Sequence, residues 1–359
     1  MWRTLLAALL GGALFKLVHA PVPWLLGPMI AVLIGSNVRS GLFLWPGQLR
    51  NAGMIIVGYT IGLSLTKEAL KEMSYQLPTM LLMIVLLLSF CAGIAFLVSK
   101  LSKSDFKTAL LGSVPGGLTQ VIALAEETEG VNLTVVTVTQ VIRLMMIIVC
   151  VPFLVFNPYF GLAEHNSAAA LSMPAGTPAG WSGFFPDVLP FAAASVVCAV
   201  LGNRVRFPTA YLLGPALITA IMQLSGLHGP ALPSLLIDAA QLMIGAYVGL
   251  LLKPQQLTDK VRTISLAVGS GALLLAGSWG FAALLTQLHA VSVPTALLSL
   301  APGGMDQMGI IAHEIDADLS MVAGYQLFRT FFIFFAVPPL LRMLFAYSRS
   351  RAGQAKEQP

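Results

Sequence analysis

Two arginines lie near the middle of long apolar runs, where a charged side chain is costly and rarely faces lipid. Arg143 follows Gln140 by one helical turn, and Arg329 follows Gln326 at the same spacing, so each amide shares a helix face with a guanidinium. An arginine in such a place can hold a carboxylate or another anion through parallel hydrogen bonds. A structural ion pair is the alternative, and the chain offers three acidic partners for it: Glu126, Glu127 and Glu314.

A Pro-Gly-Gly break precedes each arginine, at Pro115-Gly116-Gly117 and at Pro302-Gly303-Gly304. Proline removes a backbone donor, and the two glycines permit a sharp reversal of the chain. A short helix after each break would present free N–H groups and the positive end of its dipole, which favour an anion. We therefore predict a substrate site at the breaks, beside the Gln and Arg pairs. It is completed by the polar residues that follow each break: Thr119, Gln120, Asp306 and Gln307.

Asp306 occupies the position at which the first half of the chain has Thr119, so the two breaks differ in chemistry. A carboxylate at that depth could carry a proton or help to hold a cation such as sodium. A cap for the short helix is the structural alternative for Asp306, and a solvated loop is the alternative for its acidic neighbours along the chain. The residues predicted to couple an ion to transport are Asp306, Glu127, His313 and Glu314.

The composition indicates an integral membrane protein. Apolar residues make up 57% of the 359 positions and charged residues only 10%, whereas soluble domains carry roughly 25% charged residues. The three cysteines lie in apolar runs without metal-ligand spacing, and no nucleophile–base or metal constellation is visible. We therefore expect no enzymatic activity and no cofactor. A basic recognition helix is also missing from the sequence, so nucleic acid is not an expected partner.

The chain repeats itself at an offset of 187 positions. The motif Leu-Leu-Gly-Pro occurs at residues 25–28 and again at 212–215, and the two Pro-Gly-Gly breaks align in the same register. After one deleted residue the offset becomes 186, and the two Gln-x-x-Arg motifs then align as well. Chance similarity between apolar runs would not keep Gly, Pro, Gln and Arg in register, so the sequence indicates an internal duplication.

The topology depends on the interrupted segments at residues 107–127 and 294–314. If both are re-entrant, each repeat has five crossings and the second repeat is inverted. With a cytoplasmic N-terminus, fifteen Lys and Arg residues then lie inside and three outside, as the positive-inside rule requires. We therefore predict an all-α polytopic membrane protein with two inverted repeats, each of five transmembrane helices and one re-entrant or broken segment. Both termini are predicted to be cytoplasmic.

The repeats and their connections divide the chain into four parts. The linker is rich in Ala, Gly, Ser and Pro and contains no Lys or Arg, which favours an extracytoplasmic position. The predicted parts are repeat 1 (1–157), the extracytoplasmic linker (158–186), repeat 2 (187–345) and a polar cytoplasmic tail (346–359).

The motifs Leu-Leu-Gly-Pro, Pro-Gly-Gly-x-x-Gln and Gln-x-x-Arg together resemble the duplicated membrane family called AbrB, also described as ammonia monooxygenase. The resemblance covers residues from about 5 to 345 and implies a multi-pass protein of the bacterial plasma membrane. The family carries a regulatory label from a member associated with gene expression, and it is distinct from the small soluble DNA-binding proteins of the same name. No histidine or carboxylate cluster in the sequence suits the copper or iron of a monooxygenase.

Two functions remain open from the sequence. A secondary transporter of a small organic anion explains the paired breaks and the intramembrane arginines, because transporters form their sites at discontinuous helices near the bilayer midplane. A membrane-embedded sensor or regulator, acting indirectly on gene expression, fits the family label. The expected partners are a small anionic solute, the lipid bilayer and a coupling H⁺ or Na⁺. A homodimer is suggested only by analogy with elevator-like scaffolds.

Overall fold

The computed structural model describes most of the chain as helix. The described residues are 1–39, 41–102, 105–115, 121, 125–126, 128, 130–156, 187–205, 207, 209–251 and 260–354. Among them there are thirteen helices and no strand, which confirms the all-α prediction. The helices are α1 (Trp2–Leu17), α2 (Pro23–Val38), α3 (Gly47–Ser64), α4 (Lys67–Ser102), α5 (Phe106–Ser113), α6 (Leu133–Phe156), α7 (Val188–Arg204), α8 (Ala210–Leu224), α9 (Ser234–Gly249), α10 (Lys260–Leu288), α11 (Val293–Leu300), α12 (Met305–Glu314) and α13 (Leu319–Gln354).

In the part of the chain that the structure describes, four helices are long and apolar enough to cross a membrane: α4, α6, α10 and the first half of α13. The apolar helices α2, α7, α8 and α9 are shorter, with 15 to 17 residues each. At 1.5 Å per residue they span about 25 Å, slightly less than the roughly 30 Å hydrocarbon core of a bilayer. α4 begins at Lys67, close to the end of α3, and α13 continues into the polar tail as far as Gln354.

The helices form two bundles. The first bundle contains α1–α3 together with α7–α9, and the second contains α4–α6 together with α10–α13. Each bundle therefore takes equivalent helices from both halves of the sequence. Packing between the bundles runs mainly through α3, which contacts α12 and α13.

Glycines allow very close backbone contacts inside the first bundle. A Cβ atom on Gly58 would lie 2.3 Å from the carbonyl oxygen of Leu212, and one on Gly245 would lie 2.3 Å from that of Leu25. Gly58 and Gly245 lie 187 positions apart, as do Leu25 and Leu212, so the two contacts are equivalent under the offset of the predicted repeat. The pattern continues one turn further along, where Gly62 meets the carbonyl of Ala216 and Gly249 meets that of Met29.

We expect Gly58→Ala to destabilise the protein, because the new methyl group would collide with backbone, which cannot move aside cheaply. The cost of such overpacking is typically about 1–3 kcal/mol. Gly93→Ala is the matched control, since a Cβ there meets nothing within 4 Å and alanine is the better helix former. The melting temperature of both variants is measured in detergent, from the amount of monodisperse protein that size-exclusion chromatography detects after heating. Equal melting temperatures for Gly58→Ala and Gly93→Ala would contradict the packing argument.

Candidate functional site

Two eight-residue half-helices, α5 and α11, end at the Pro-Gly-Gly breaks. They begin at Phe106 and Val293, which are 187 positions apart, and both end deep in the protein. The last four carbonyl groups of a helix have no partner within that helix and must be satisfied elsewhere when they are buried. Each break therefore requires hydrogen-bond donors from elsewhere in the protein for the buried carbonyls at the end of its half-helix.

Gln326 and Arg329 of α13 satisfy the end of α11. The Gln326 side-chain Nε2 donates to the carbonyl of Leu298 at 2.7 Å. Arg329 donates through Nη1 to the carbonyl of Ala301 at 2.7 Å and through Nη2 to that of Gly303 at 2.8 Å. Nη2 of Arg329 also donates to Oε1 of Gln326, so the two side chains support each other.

Gln140 and Arg143 of α6 do the same for α5. Gln140 Nε2 donates to the carbonyls of Leu111 at 2.7 Å and Val114 at 3.0 Å. The Nη1 group of Arg143 donates to the carbonyl of Ser113 at 2.9 Å, and Nη2 donates to Oε1 of Gln140. Each arginine thus donates to backbone carbonyls and to the glutamine one turn before it, whereas the sequence predicted an anion or an acidic side chain as the partner. The Nε–H of Arg143 is buried without a partner among the described residues.

A second pair of contacts ties each half-helix to the start of the following long helix. The backbone N–H of Asn132, just before α6, donates to the Thr108 hydroxyl of α5 at 3.1 Å. The backbone N–H of Asp318, just before α13, donates to the Thr295 hydroxyl of α11 at 3.2 Å. Asp318 then caps α13 by accepting from the N–H of Met321 at 3.0 Å. Each half-helix is therefore attached to its long helix at both ends.

Asp306 lies in the first turn of α12, directly after the second break. The N-cap of this helix is Gly304, and the Asp306 carboxylate interacts with the backbone N–H groups of Asp306 and Gln307 in the first turn. Its side chain is only 8% exposed, and its Oδ2 accepts from Nε2 of Gln307 at 2.7 Å. The positive end of the α12 dipole favours a negative charge at this position.

A cavity of about 180 Å³ lies between the two bundles at the breaks. Nine residues of the predicted substrate site line it: Pro115, Gln140, Arg143, Pro302, Gly303, Gly304, Asp306, Gln307 and Arg329. Gln326 is fully buried behind the cavity wall, where it holds Arg329. The predicted residues Gly116, Gly117, Thr119, Gln120 and Glu127 lie outside the described residues. The structure therefore brings together site residues from both halves of the sequence.

The other two residues predicted to couple an ion lie apart from this cavity. His313 and Glu314 are exposed at the far end of α12 from Asp306. Glu314 accepts a hydrogen bond from the buried Gln241 of α9 at 2.7 Å, which joins α12 to the first bundle. Their role in coupling remains a prediction, and Asp306 is the member of the set that lines the cavity.

Three polar residues of the cavity come from the first bundle, and sequence reasoning missed all of them: Arg50, Thr209 and Tyr247. The guanidinium carbon of Arg50 lies 4.9 Å from the centre of the Tyr247 ring, in a cation–π contact. In the sequence, Arg50 is one of the fifteen Lys and Arg residues that the predicted topology places inside. A signal was available in the repeat, because Ile237 and Thr60 stand at the positions equivalent to Arg50 and Tyr247.

The ionisable side chains along the described lining favour an anion. Arg50, Arg143 and Arg329 supply three positive charges, and Asp306 supplies one negative charge. The C-terminal ends of α5 and α11 each add about half a negative charge, and the N-terminal end of α12 adds about half a positive one. The sum stays positive by more than one elementary charge.

Apolar helices, two bundles built from both sequence halves, and a polar cavity at broken helices define a polytopic helical membrane protein. A family model described as "Transition state regulatory protein AbrB" matches residues 24–345. The chain therefore belongs to the AbrB family, as the sequence motifs suggested.

Two relatives are similar over most of their length. The "Putative regulator AbrB" of Escherichia coli (strain K12) is 29% identical over 343 residues, which cover 94% of this chain and 94% of that protein. The "Uncharacterized protein YhjN" of Bacillus subtilis (strain 168) is 26% identical over 356 residues, with 93% of this chain and 90% of that protein covered. The similarity thus extends over both bundles.

Proposed function

We propose that this protein is a secondary transporter of a small organic anion, which binds in the cavity between the two bundles. The observation that carries the proposal is the excess of positive charge in a cavity formed at two broken helices. Broken backbone inside a membrane is tolerated where it lines a cavity or is buried in protein, and transporters use such places for binding. The cavity is smaller than the roughly 300–1,000 Å³ of pockets for drug-sized ligands, which favours a small solute.

The proposal includes two inverted repeats in a bacterial plasma membrane, with both termini in the cytoplasm. Support comes from the paired glycine contacts, in which Gly58 meets Leu212 and Gly245 meets Leu25. Exchange of equivalent partners in this way is the pattern of a two-fold relation. Five crossings per repeat would place that axis in the membrane plane. Arg50 and Thr209 of the cavity wall lie near chain segments rich in Lys and Arg, which supports a cytoplasmic position for this wall under the positive-inside rule.

A membrane-embedded regulator is the second candidate, and the observation that favours it is the name of the E. coli relative, "Putative regulator AbrB". A regulator could sense the same anion without moving it. The two candidates therefore differ in flux across the membrane, while both predict binding in the cavity.

Transport by purified protein in liposomes distinguishes the candidates. We expect labelled acetate, lactate or succinate to accumulate under an imposed proton or sodium gradient, at a rate above that of protein-free liposomes. Collapse of the gradient with an ionophore should abolish accumulation, which separates coupled transport from leakage. Binding of these anions without flux, under every gradient and in both directions, would contradict the transporter and favour the regulator.

A further inference from the structure

Arg50 and Asp306 face the same cavity from different bundles. Arg50 lies in the first turn of α3 in the first bundle, and Asp306 lies in the first turn of α12 in the second. The Arg50 guanidinium is close enough to attract the Asp306 carboxylate electrostatically. The pair therefore crosses the interface at which any relative movement of the bundles would occur.

Within the described part of the chain, Arg50 has free terminal N–H donors, unlike the other two arginines of the cavity. Arg143 and Arg329 donate their terminal N–H groups to the carbonyls at the ends of α5 and α11. Arg50 makes a cation–π contact with Tyr247 and no hydrogen bond to another described residue. The planar guanidinium group of Arg50 can therefore donate two parallel hydrogen bonds to a carboxylate.

The buried Asp306 carboxylate is stabilised by the Gln307 amide, by the N-terminal end of α12 and by the charge of Arg50, because a buried carboxylate without compensation is costly. The charged or titratable groups that face it across the cavity are Arg50 of α3, Arg143 of α6, Tyr247 of α9 and Arg329 of α13, and α11 contributes none. Since Arg143 and Arg329 are held by carbonyls, Arg50 is the group that can change partners. A proton can neutralise Asp306 in place, whereas a metal cation would have to enter beside three arginines.

Resting on the proposed transport function, we propose that the coupling ion is a proton and that Asp306 and the bound anion compete for Arg50. A small carboxylate that enters the cavity takes over the hydrogen bonds of Arg50. Asp306 then loses its compensating charge and takes up one proton from the solvent. When the anion leaves, Arg50 attracts the carboxylate again and the proton is released. Anion and proton consequently occupy the protein together.

An infrared titration tests this exchange without any ligand. Arg50→Gln removes the positive charge, and so imitates the state in which Arg50 is paired with the bound anion. The measured signal is the C=O stretch of a protonated carboxyl that is lost in Asp306→Asn. We expect this band to appear at a pH at least about one unit higher in Arg50→Gln than in the natural protein. Arg39→Gln removes an exposed arginine outside the cavity and should leave the band unchanged. The same titration midpoint in Arg50→Gln and the natural protein would overturn the inference.

Proton uptake on binding provides the second measurement. Lactate or succinate is added to the purified protein in weakly buffered detergent solution with a pH indicator. We expect about one proton to be taken up for each anion bound, and none for each anion bound by Asp306→Asn. Anion binding without proton uptake in the natural protein would overturn the inference. If neither anion binds, that result counts against the proposed function, and the infrared midpoint still decides the exchange between Arg50 and Asp306.

Discussion

Arg50→Ile is expected to lower anion uptake in proteoliposomes by at least about 30-fold at subsaturating substrate. The substitution gives repeat 1 the residue that repeat 2 carries at the equivalent position, Ile237, and removes the cation with free donors from the cavity. Arg50 is half-buried, and a hydrogen bond to a charged group contributes about 1.5–3 kcal/mol. A difference of about 1.4 kcal/mol corresponds to a factor of ten in affinity. The initial rate of uptake of labelled lactate or succinate measures the effect.

The control for this variant is Arg39→Gln, which removes a positive charge from an exposed position outside the described cavity lining. It should transport at the rate of the natural protein. Both variants should also keep the natural melting temperature within a few degrees, because Arg50 supports no helix end. Full uptake by Arg50→Ile would remove this residue from the binding site.

Arg329→Met is expected to destabilise the protein by about 3–5 kcal/mol, independently of any transport activity. The substitution leaves the carbonyl of Gly303 and the Oε1 atom of Gln326 without a donor. It also leaves the carbonyl of Ala301 with only the longer hydrogen bond from Gln326 Nε2, at 3.2 Å. Each unsatisfied buried group costs about 1–3 kcal/mol. Thermal unfolding in detergent, or the yield of monodisperse protein after heating, measures the loss.

Arg143→Met should show a loss of similar size, because Arg143 holds the end of α5 in the same way. Ser278→Ala serves as the control, since this buried hydroxyl donates only to Leu274 within its own helix and its removal should cost little. If Arg329→Met and Ser278→Ala have the same melting temperature, the carbonyls find other donors and the prediction is wrong.

The positions of the helix breaks could be predicted from the sequence, but the hydrogen-bond partners of the two arginines could not. Pro-Gly-Gly cannot continue a helix, so the ends of α5 and α11 follow from local chemistry. The partners of Arg143 and Arg329 depend on where the last carbonyls of each half-helix point in three dimensions. A sequence shows which side chains carry the opposite charge. It does not show which backbone carbonyls accept from an arginine, because every residue has one.

Arg50 was missed for a different reason. The search for a site followed features that occur in both repeats, and Arg50 occurs in only one. Its approach to Asp306 depends on the packing of α3 against α12, a contact between residues far apart in the chain. The mismatch between Asp306 and Thr119 was recognised in the sequence, and the same comparison applied to Arg50 and Ile237 would have found the second asymmetric position.

The double attachment of each half-helix has a consequence for movement. Because Gln326 and Arg329 hold one end of α11 and Asp318 holds the other, α11 cannot swing about the break without losing several buried hydrogen bonds at once. The break is therefore a stiff joint, despite its glycines. Any large displacement has to occur as a rigid-body shift between the bundles, and such collective motions take microseconds to milliseconds. Under the proposed transport function, turnover is then expected to be limited by sliding at the surface of α3.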